Sequence, residues 1–404
     1  MKEMYTPMTT AHKSRVLDMT QGDPFRLVLQ FSMPLFCSNL LQQLYNLTDT
    51  ALAGHLLGAA ALAQIGATAA LYGLIMNFAF GMNNGLALTV SRYFGAGDEK
   101  GMRRAVGWMV TLSVGPSLVL TATSLLGRGA LLTLLQVPAE TWDGAAAYLT
   151  VILLGIPLTM LYNMEAALLR AVGNSITPLL FLLFSTVLNI GLDAAFMGPL
   201  GLGVRGAAIA TVLAQGISAL LGVWYILRSY PELRFRPAQL KETTRHAVAH
   251  MFWAGLSMGL MSAIYNLGSV ALQSSINALG SAYIAAQTAA RRLAELYFIP
   301  GGALGISVAT FSSQNLGAGK RSRIWQSVKA ALVILRNMLQ GIQHTIEPLL
   351  ASALELIGKV IFAVWLVPVW GYRAVCFCEP TTWVICFVFI LFAAWRCRGD
   401  LRDA

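Results

Sequence analysis

Long apolar segments alternate with short polar segments along almost the whole chain. A helix needs about 20 apolar residues to cross a bilayer, and ten segments reach or approach that length. The pattern therefore predicts membrane-spanning helices near 25–53, 60–93, 104–135, 143–169, 177–199, 206–228, 251–278, 282–316, 347–370 and 380–396.

The composition agrees with this pattern, because 56% of the residues are hydrophobic and only 11% are charged. These proportions are typical of an all-α polytopic membrane protein. The five cysteines lie in or beside apolar segments and lack the spacing of a metal site. The sequence contains no Walker A loop and no convergent set of nucleophile, base and metal ligands, so we expect neither an ATPase nor any other enzyme.

The net charge of +10 is concentrated in alternate loops. Cytoplasmic loops carry most Lys and Arg, so we expect a cell-membrane protein with both termini in the cytoplasm. This topology explains the basic clusters without a nucleic-acid partner. The predicted division is a tail (1–24), a first lobe (25–228), a polar linker (229–250), a second lobe (251–396, incomplete around 320–344) and a second tail (397–404).

The chain contains an internal duplication. Residues 57–97 align without a gap with residues 279–319, and each copy ends in the same motif, Ser91…Gly95-Ala96-Gly97 and Ser313…Gly317-Ala318-Gly319. The offset is 313 − 91 = 222 residues. Repeats in an apolar chain are typical of transporters, so the sequence predicts two pseudo-symmetric helical lobes.

The second copy is shorter than the first. Gly203-Val204-Arg205-Gly206-Ala207 matches Gly371-Tyr372-Arg373-Ala374-Val375, an offset of 168, so the shortfall is 222 − 168 = 54 residues. About two membrane crossings are missing. Across the splice we expect one interfacial amphipathic helix whose apolar residues face lipid: Ile324, Trp325, Val328, Leu332 and Leu335.

Two acidic residues lie inside predicted spans, Asp49 in the first and Asp193 in the fifth. A carboxylate at membrane depth is costly unless it is neutral, paired or bound to a cation. Asn189 is four residues from Asp193 and lies on the same helix face. Hard cations prefer such oxygen ligands, so these residues are candidates for a cation site that binds Na⁺ or a proton; the alternative is that an Asp lies at a helix end in water.

Other polar and helix-breaking residues also occur inside spans. Pro34 marks either a hinge or a static kink in the first span. Five amides are expected to face either a substrate cavity or a partner helix: Gln42, Gln43, Asn77, Asn83 and Asn84.

The second half carries different polar residues and has no equivalent of Asp49. Arg291, Arg292 and Glu295 lie in the eighth span, and Glu355 and Lys359 lie in the next long one. Arg291/Glu295 and Glu355/Lys359 are four residues apart and can neutralise each other. This spacing favours structural ion pairs over ion coupling.

Several ordered motifs resemble the multidrug and toxic compound extrusion (MATE) family: 40–50 (LLQQLYNLTDT), 168–178 (LLRAVGNSITP), 188–193 (LNIGLD) and the repeated Gly-Ala-Gly. The resemblance implies twelve helices in two six-helix lobes, of which about ten spans are retained here. It also implies alternating access driven by Na⁺ or proton antiport. It assigns the cation site to Asp49, Asn189, Asp193, Thr211 and Asn163, and a bending point to Pro34.

We therefore expect a monomeric antiporter that exports amphipathic or cationic organic compounds in contact with membrane lipid, with no cofactor beyond the coupling Na⁺ or H⁺. One alternative is an inactive remnant produced by the internal deletion. A second alternative is a flippase for lipid-linked precursors, for which Arg291 and Arg292 are the only support.

Overall fold

The computed structural model describes residues 16–135, 137–277, 281–330, 339–342, 344 and 346–396, without a strand among them. We label eleven helices: α1 (Pro24–Leu57), α2 (Ala59–Ala96), α3 (Glu99–Leu126), α4 (Trp142–Ala171), α5 (Ile176–Met197), α6 (Gly203–Ser229), α7 (Arg245–Asn277), α8 (Ser281–Gly317), α9 (Arg321–Ala330), α10 (Ile346–Ile361) and α11 (Tyr372–Arg396). Two short helices, Arg128–Leu134 and Pro237–Leu240, lie in loops. A π-helical segment, Phe362–Leu366, continues α10 into the short helix Val367–Trp370.

The prediction of an all-α polytopic membrane protein is confirmed. Seven of the described helices are long and apolar enough to cross a membrane, and the two segments of α2, Ala59–Ala69 and Leu71–Ala96, would form an eighth span. Helices α1 and α8 have 34 and 37 residues, which also exceeds the spanning length.

Local sequence signals explain where several helices begin and end. Asp23 and Asp98 are side-chain caps: Asp23 Oδ1 accepts from the amide of Arg26 at 2.8 Å, and Asp98 Oδ1 accepts from the amide of Gly101 at 2.9 Å. Gly97, at the end of the repeated motif, has φ = 67°. This left-handed conformation ends α2 and favours glycine.

The largest differences from the predicted spans are at three boundaries. The third span ends at Leu126, not near residue 135, because the chain turns at Gly127, whose amide bonds to the carbonyl of Thr123. The linker ends at Thr244, not at residue 250, because the Thr244 hydroxyl accepts from the amide of Ala247. The last helix begins at Tyr372, eight residues before the predicted start at Pro380.

The first lobe packs around α4, which contacts α2, α3 and α6, while α5 lies against α1 and α6. In the second lobe, α10 lies between α7 and α11. The lobes meet along three helix pairs, α1 with α8, α2 with α7 and α2 with α8. The first two pairs exchange places under the duplication, and the third is related to itself. Glycines on α2, including Gly85 opposite the backbone of Ala254, allow the close approach of α7.

Helix α9 differs from the expected lipid-facing surface helix. Ile324 is fully buried in an apolar cluster with Phe31 of α1 and Phe311 of α8, so it faces protein and not lipid. An amphipathic pattern gives a helix one apolar face but does not specify what covers that face. The side chains of Trp325 and Val328, and residues Leu332 and Leu335, lie outside the described residues.

Candidate functional site

Helices α1 and α5 bring Asp49 and Asp193 together. The two carboxyl groups are adjacent, and Asp193 is fully buried. Both oxygens of Asp193 and Oδ1 of Asp49 are buried without a hydrogen-bond donor among the described residues. Ionised carboxylates only accept hydrogen bonds, so a proton or a cation is needed to satisfy this pair.

Two further predicted residues surround the pair. Asn189 is 1% exposed and lies one helical turn before Asp193. Thr211 on α6 is also buried, and its hydroxyl lies near that of Tyr45. The structure therefore brings Asp49, Asn189, Asp193 and Thr211 into one region enclosed by α1, α5 and α6.

Asn163, the fifth residue that the resemblance assigns to the cation site, bonds within its own helix in this conformation. Its amide donates to the backbone carbonyl of Thr159 at 2.9 Å. The hydroxyl of Thr159 in turn donates to Gln215 Oε1 at 2.7 Å. Asn163 thus makes a contact within its own helix, and its assignment to the cation shell stays a prediction.

The sequence analysis did not identify three tyrosines that border the site. Tyr45, Tyr72 and Tyr148 all lie close enough to Asp49 for electrostatic interaction. Tyr45 is four residues before Asp49, so helical spacing could have identified it. Tyr72 and Tyr148, on α2 and α4, required knowledge of the packing.

The chemistry of this site suits a hard monovalent ion or a proton. The ligands are carboxylate, amide and hydroxyl oxygens, which hard cations prefer. The part of the chain that the structure describes contains no group of three or more His, Cys, Asp and Glu side chains suited to a metal ion. Transition-metal sites in proteins use mostly such side chains.

The five amides predicted to line a cavity have different surroundings. Gln43 and Asn77 are exposed, and Gln42 donates to Asn46 at 3.4 Å. Asn83 is fully buried and contacts Ala79, Met160 and Ser113, which corresponds to the partner-helix alternative.

Asn84 lies close to the boundary between the lobes. Its Oδ1 accepts from the guanidinium of Arg170 at 3.2 Å. Both residues line a small cavity that Met258 and Thr310 of the second lobe also border. The surroundings of Asn84 would therefore change if the lobes separated.

Pro34 lies within α1, which is a continuous helix in this structure. Its carbonyl accepts from the hydroxyl of Ser38 at 2.8 Å. Pro34 cannot donate a backbone hydrogen bond, which weakens the helix at this point. The hinge assignment stays a prediction.

The duplicated motif forms a reciprocal contact at one end of the bundle, which we call the closed end. Ser91 Oγ donates to the carbonyl of Thr310 at 3.3 Å, and Ser313 Oγ donates to the carbonyl of Leu88 at 2.6 Å. Adding 222 to Ser91 and Leu88 gives Ser313 and Thr310, so the two bonds are copies of each other. The motif therefore joins the lobes about their pseudo-twofold axis.

The glycines of the motif permit this contact. A Cβ atom on Gly95 would collide with the backbone of Gln314, and one on Gly317 would collide with the backbone of Arg92. These pairs also differ by 222 residues. The closed end thus requires glycine on both helices.

A short segment before α1, Leu17–Thr20, crosses the closed end, and we call it the strap. The amide of Leu17 donates to the carbonyl of Gly173 after α4. On the other side, Asn315 Nδ2 donates to the carbonyl of Met19 at 2.9 Å, and Lys320 Nζ donates to that of Thr20 at 2.8 Å. The strap therefore connects both lobes through backbone atoms.

The predicted ion pairs of the second lobe have different outcomes. Glu355 and Lys359 form an ion pair at 3.0 Å, as predicted. The side chains of Arg291, Arg292 and Glu295 lie outside the described residues. The Arg291/Glu295 pair therefore stays a prediction.

Comparison with known proteins identifies relatives of this chain. The family model MatE matches residues 34–195 and 257–339. The probable multidrug resistance protein YpnP from Bacillus subtilis is 31% identical over 310 residues, covering 77% of this chain and 69% of the relative. The multidrug export protein MepA from Staphylococcus haemolyticus is 24% identical over 273 residues, covering 67% and 60%.

Solved structures share the fold. A multidrug resistance MATE transporter in an outward-facing conformation superposes with a TM-score of 0.87 at 19% identity, covering 96% of this chain and 98% of the other. A MOP superfamily transporter from Pyrococcus furiosus gives a TM-score of 0.85 at 19% identity, with the same coverage. On the family match and the similarity to YpnP, the chain belongs to the MATE family of membrane transporters and is not an enzyme.

Proposed function

We propose that this transporter is a secondary antiporter that exports amphipathic, often cationic, organic compounds while Na⁺ or protons enter. The observation that carries the proposal is the adjacent pair Asp49 and Asp193, whose buried oxygens have no donor among the described residues. Two buried acceptors are stable together only when a proton or cation lies between them. This arrangement supports the binding and release of a coupling ion.

The surrounding residues have complementary roles in this proposal. Asp49 and Asp193 hold the ion, and Asn189 and Thr211 complete its shell. Asp49 lies on the same helix as Pro34, 15 residues away. Neutralisation of Asp49 therefore acts on a helix that Pro34 has already weakened.

The closed end supports alternating access. Basic residues that follow the two glycine motifs, such as Lys100 and Lys320, favour a cytoplasmic location for this end. With the cytoplasmic end closed, the coupling ion would enter from outside and substrate would leave to the outside. An ion shifts the balance between two conformations only if it binds one of them more tightly. The Asp pair joins two helices, α1 and α5, so the affinity of the site depends on how these helices are placed relative to each other.

The substrate class is inferred from the site and from the relatives. YpnP is described as a probable multidrug resistance protein, and MepA as a multidrug export protein. The face of α1 that carries Asp49 also carries Tyr45, four residues earlier, and the tyrosine ring is buried beside the carboxylate. A carboxylate bordered by aromatic rings suits an amphipathic cation.

Replacement of the central carboxylate tests the proposal. Asp49→Asn keeps the size of the side chain and removes its charge. We expect efflux of a cationic dye from proteoliposomes to fall about tenfold or more, which corresponds to a loss of about 1.4 kcal/mol in ion binding. Imposed Na⁺ and pH gradients, applied separately, would identify the coupling ion.

Asp143→Asn is the matched control, because Asp143 is an exposed carboxylate near the start of α4 and the same substitution there removes the same charge. It should transport at the wild-type rate. Undiminished efflux by Asp49→Asn, at a normal level of inserted protein, would refute the assignment of the site.

A second candidate is an inactive remnant of a transporter. The 54-residue shortfall in the second lobe favours it, because the region between α8 and α10 is too short for the two additional crossings of the first lobe. It predicts inserted protein without efflux under either gradient.

A further inference from the structure

A second buried charge cluster lies in the second lobe, and the proposed mechanism does not use it. Lys359 Nζ on α10 is 3.0 Å from Glu355 Oε1 and 3.2 Å from Glu379 Oε1 on α11. The Lys359 side chain is 1% exposed and that of Glu355 is 8% exposed, whereas that of Glu379 is 33% exposed. An ammonium group between two carboxylates at membrane depth requires an explanation, because charged residues there are costly and usually functional.

The duplication relates this cluster to the candidate cation site. Helices α5 and α10 begin at Ile176 and Ile346, and Pro178 and Pro348 follow, which gives an offset of 170. With this offset, Lys359 corresponds to Asn189 of the first lobe (359 − 170 = 189).

The next helix gives the same result independently. Gly203 at the start of α6 corresponds to Gly371 before α11, an offset of 168. With this offset, Glu379 corresponds to Thr211 (379 − 168 = 211). The helix pairs α5 with α6 and α10 with α11 both pack side by side. The cluster therefore occupies the position in the second lobe that the cation shell occupies in the first.

We propose that Lys359 is a tethered cation, whose ammonium group permanently fills the second lobe's counterpart of the coupling-ion site. This inference rests on the proposed function in one respect, the identification of the first-lobe site. The second lobe then exchanges no ion during transport. Without the ammonium group, the same position becomes a binding site for a small monovalent cation, Na⁺ or an alkylammonium ion.

The contacts of Lys359 support a fixed occupant. A Cβ atom on Gly268 of α7 would lie 2.9 Å from Lys359 Cδ, so glycine leaves room for the lysine stem. The ammonium contacts both α10 and α11, as an ion in this position would. Removal of one partner from a buried ion pair leaves an uncompensated charge, so the two carboxylates would take up a replacement cation.

The test uses the purified full-length protein with Lys359→Ala in an Asp49→Asn background, which suppresses the response of the first lobe. The measurement is the midpoint of thermal unfolding at constant ionic strength, with choline replaced stepwise by methylammonium or by Na⁺. We expect the midpoint to rise by roughly 1–2 °C at a concentration about tenfold above half-saturation. Choline serves as the reference, because its quaternary ammonium has no N–H donor and its methyl groups keep the charge farther from the two carboxylates.

Glu379→Gln added to Lys359→Ala should abolish most of this rise, because one of the two carboxylates is lost. A folded Lys359→Ala protein whose midpoint does not change with either cation would overturn the proposal. It would then follow that the cluster only fastens α10 to α11.

A second measurement retains the lysine and does not depend on the folding of Lys359→Ala. In Asp49→Asn/Asp193→Asn protein, Na⁺ should leave the unfolding midpoint unchanged, because Lys359 already fills the second-lobe position. A Na⁺-dependent rise that Glu379→Gln abolishes would overturn the tethered cation. Both measurements report the stability of the purified protein, whereas the antiport proposal is tested by efflux. Failure of one proposal can therefore be distinguished from failure of the other.

Discussion

At the scale of single residues, the two lobes satisfy buried carboxylates in different ways. In the first lobe, Asp49 and Asp193 are adjacent and need a proton or an ion from solution. In the second lobe, Lys359 supplies the positive charge from the chain itself. Under the two proposals above, the first arrangement would respond to ion gradients, whereas the second would be independent of them.

Tyr45 provides a test of the shell around the aspartates. Tyr45→Phe removes a hydroxyl that lies near Thr211, while the ring stays in place. This hydroxyl is buried without a hydrogen-bond partner among the described residues, so it is free to contact the bound ion. One such polar contact contributes about 0.5–1.5 kcal/mol, so we expect the concentration of coupling ion at half-maximal efflux to rise about 2–10-fold. Maximal efflux at saturating ion should change little.

Tyr283→Phe is the corresponding control, because Tyr283 is 44% exposed in the second lobe. It should not alter the ion dependence. An unchanged half-maximal concentration in Tyr45→Phe would remove Tyr45 from the shell.

The sequence predicted the acidic members of the site because a carboxyl group inside a span is rare and costly. It did not identify Tyr72, because a tyrosine is ordinary in a membrane helix and only the fold brings α2 to the site. The lipid-facing assignment of Ile324 was wrong for a related reason: an apolar face does not distinguish lipid from protein.

At the scale of elements, the glycine motif specifies how α2 and α8 meet. Gly95 and Gly317 each face a backbone segment of the other helix at a separation that excludes a methyl group. Unlike a side chain, a backbone carbonyl cannot rotate away from such a clash. The helices must therefore separate if either glycine is replaced.

Gly95→Ala should shift the transporter away from the closed end. Overpacking of a tight contact costs about 1–3 kcal/mol, which is enough to change the balance of two conformations several-fold. In a variant lacking the native cysteines, we expect faster labelling of Ser313→Cys by a water-soluble thiol reagent.

Gly115→Ala is the matched control, since a Cβ atom on this glycine of α3 would have no neighbour within 4 Å. It should label at the parent rate. Equal labelling of the Gly95→Ala protein and its parent would show that the motif does not hold this end closed.

Helix boundaries can be predicted from the sequence where a capping residue is present. They are harder to predict where a charged residue interrupts the apolar segment. Asp98 is a clear start, and Gly97 is a clear end. The beginning of α11 was missed because Glu379 and Pro380 interrupt the apolar run. In the structure the charge of Glu379 is paired with Lys359, so the helix extends through both residues.

At the scale of the whole molecule, the chain keeps the fold of its structural relatives although its second lobe is shortened. The chain covers 98% of the outward-facing MATE transporter with a TM-score of 0.87. Most contacts between the lobes use α1, α2, α7 and α8, which lie outside the shortened region; α9, which begins that region, adds a smaller contact with α1. The duplication could be recognised in the sequence, whereas the contact between the lobes could be identified only from the reciprocal hydrogen bonds in the structure.

Restoration of the missing length tests whether the short form is functional. We expect the natural chain to export dye, and a chain with a 54-residue insert between Ile334 and Leu335, designed as two membrane helices, to export it at a rate within about threefold, because the candidate ion site lies entirely in the first lobe. Dye efflux from cells that express each form at equal levels is the measurement. Efflux by the extended form alone would identify the natural chain as a remnant.

The strap has an evolutionary consequence. Its bonds to Gly173, Asn315 and Lys320 all use main-chain atoms of Leu17, Met19 and Thr20, whereas the fully buried side chain of Met19 packs between α1 and α8. The bonds constrain the path of the segment and not its residues, but the apolar contact requires a large apolar side chain at position 19. Among relatives of this chain, position 19 should therefore stay apolar, while the exposed position 18 is freer to vary.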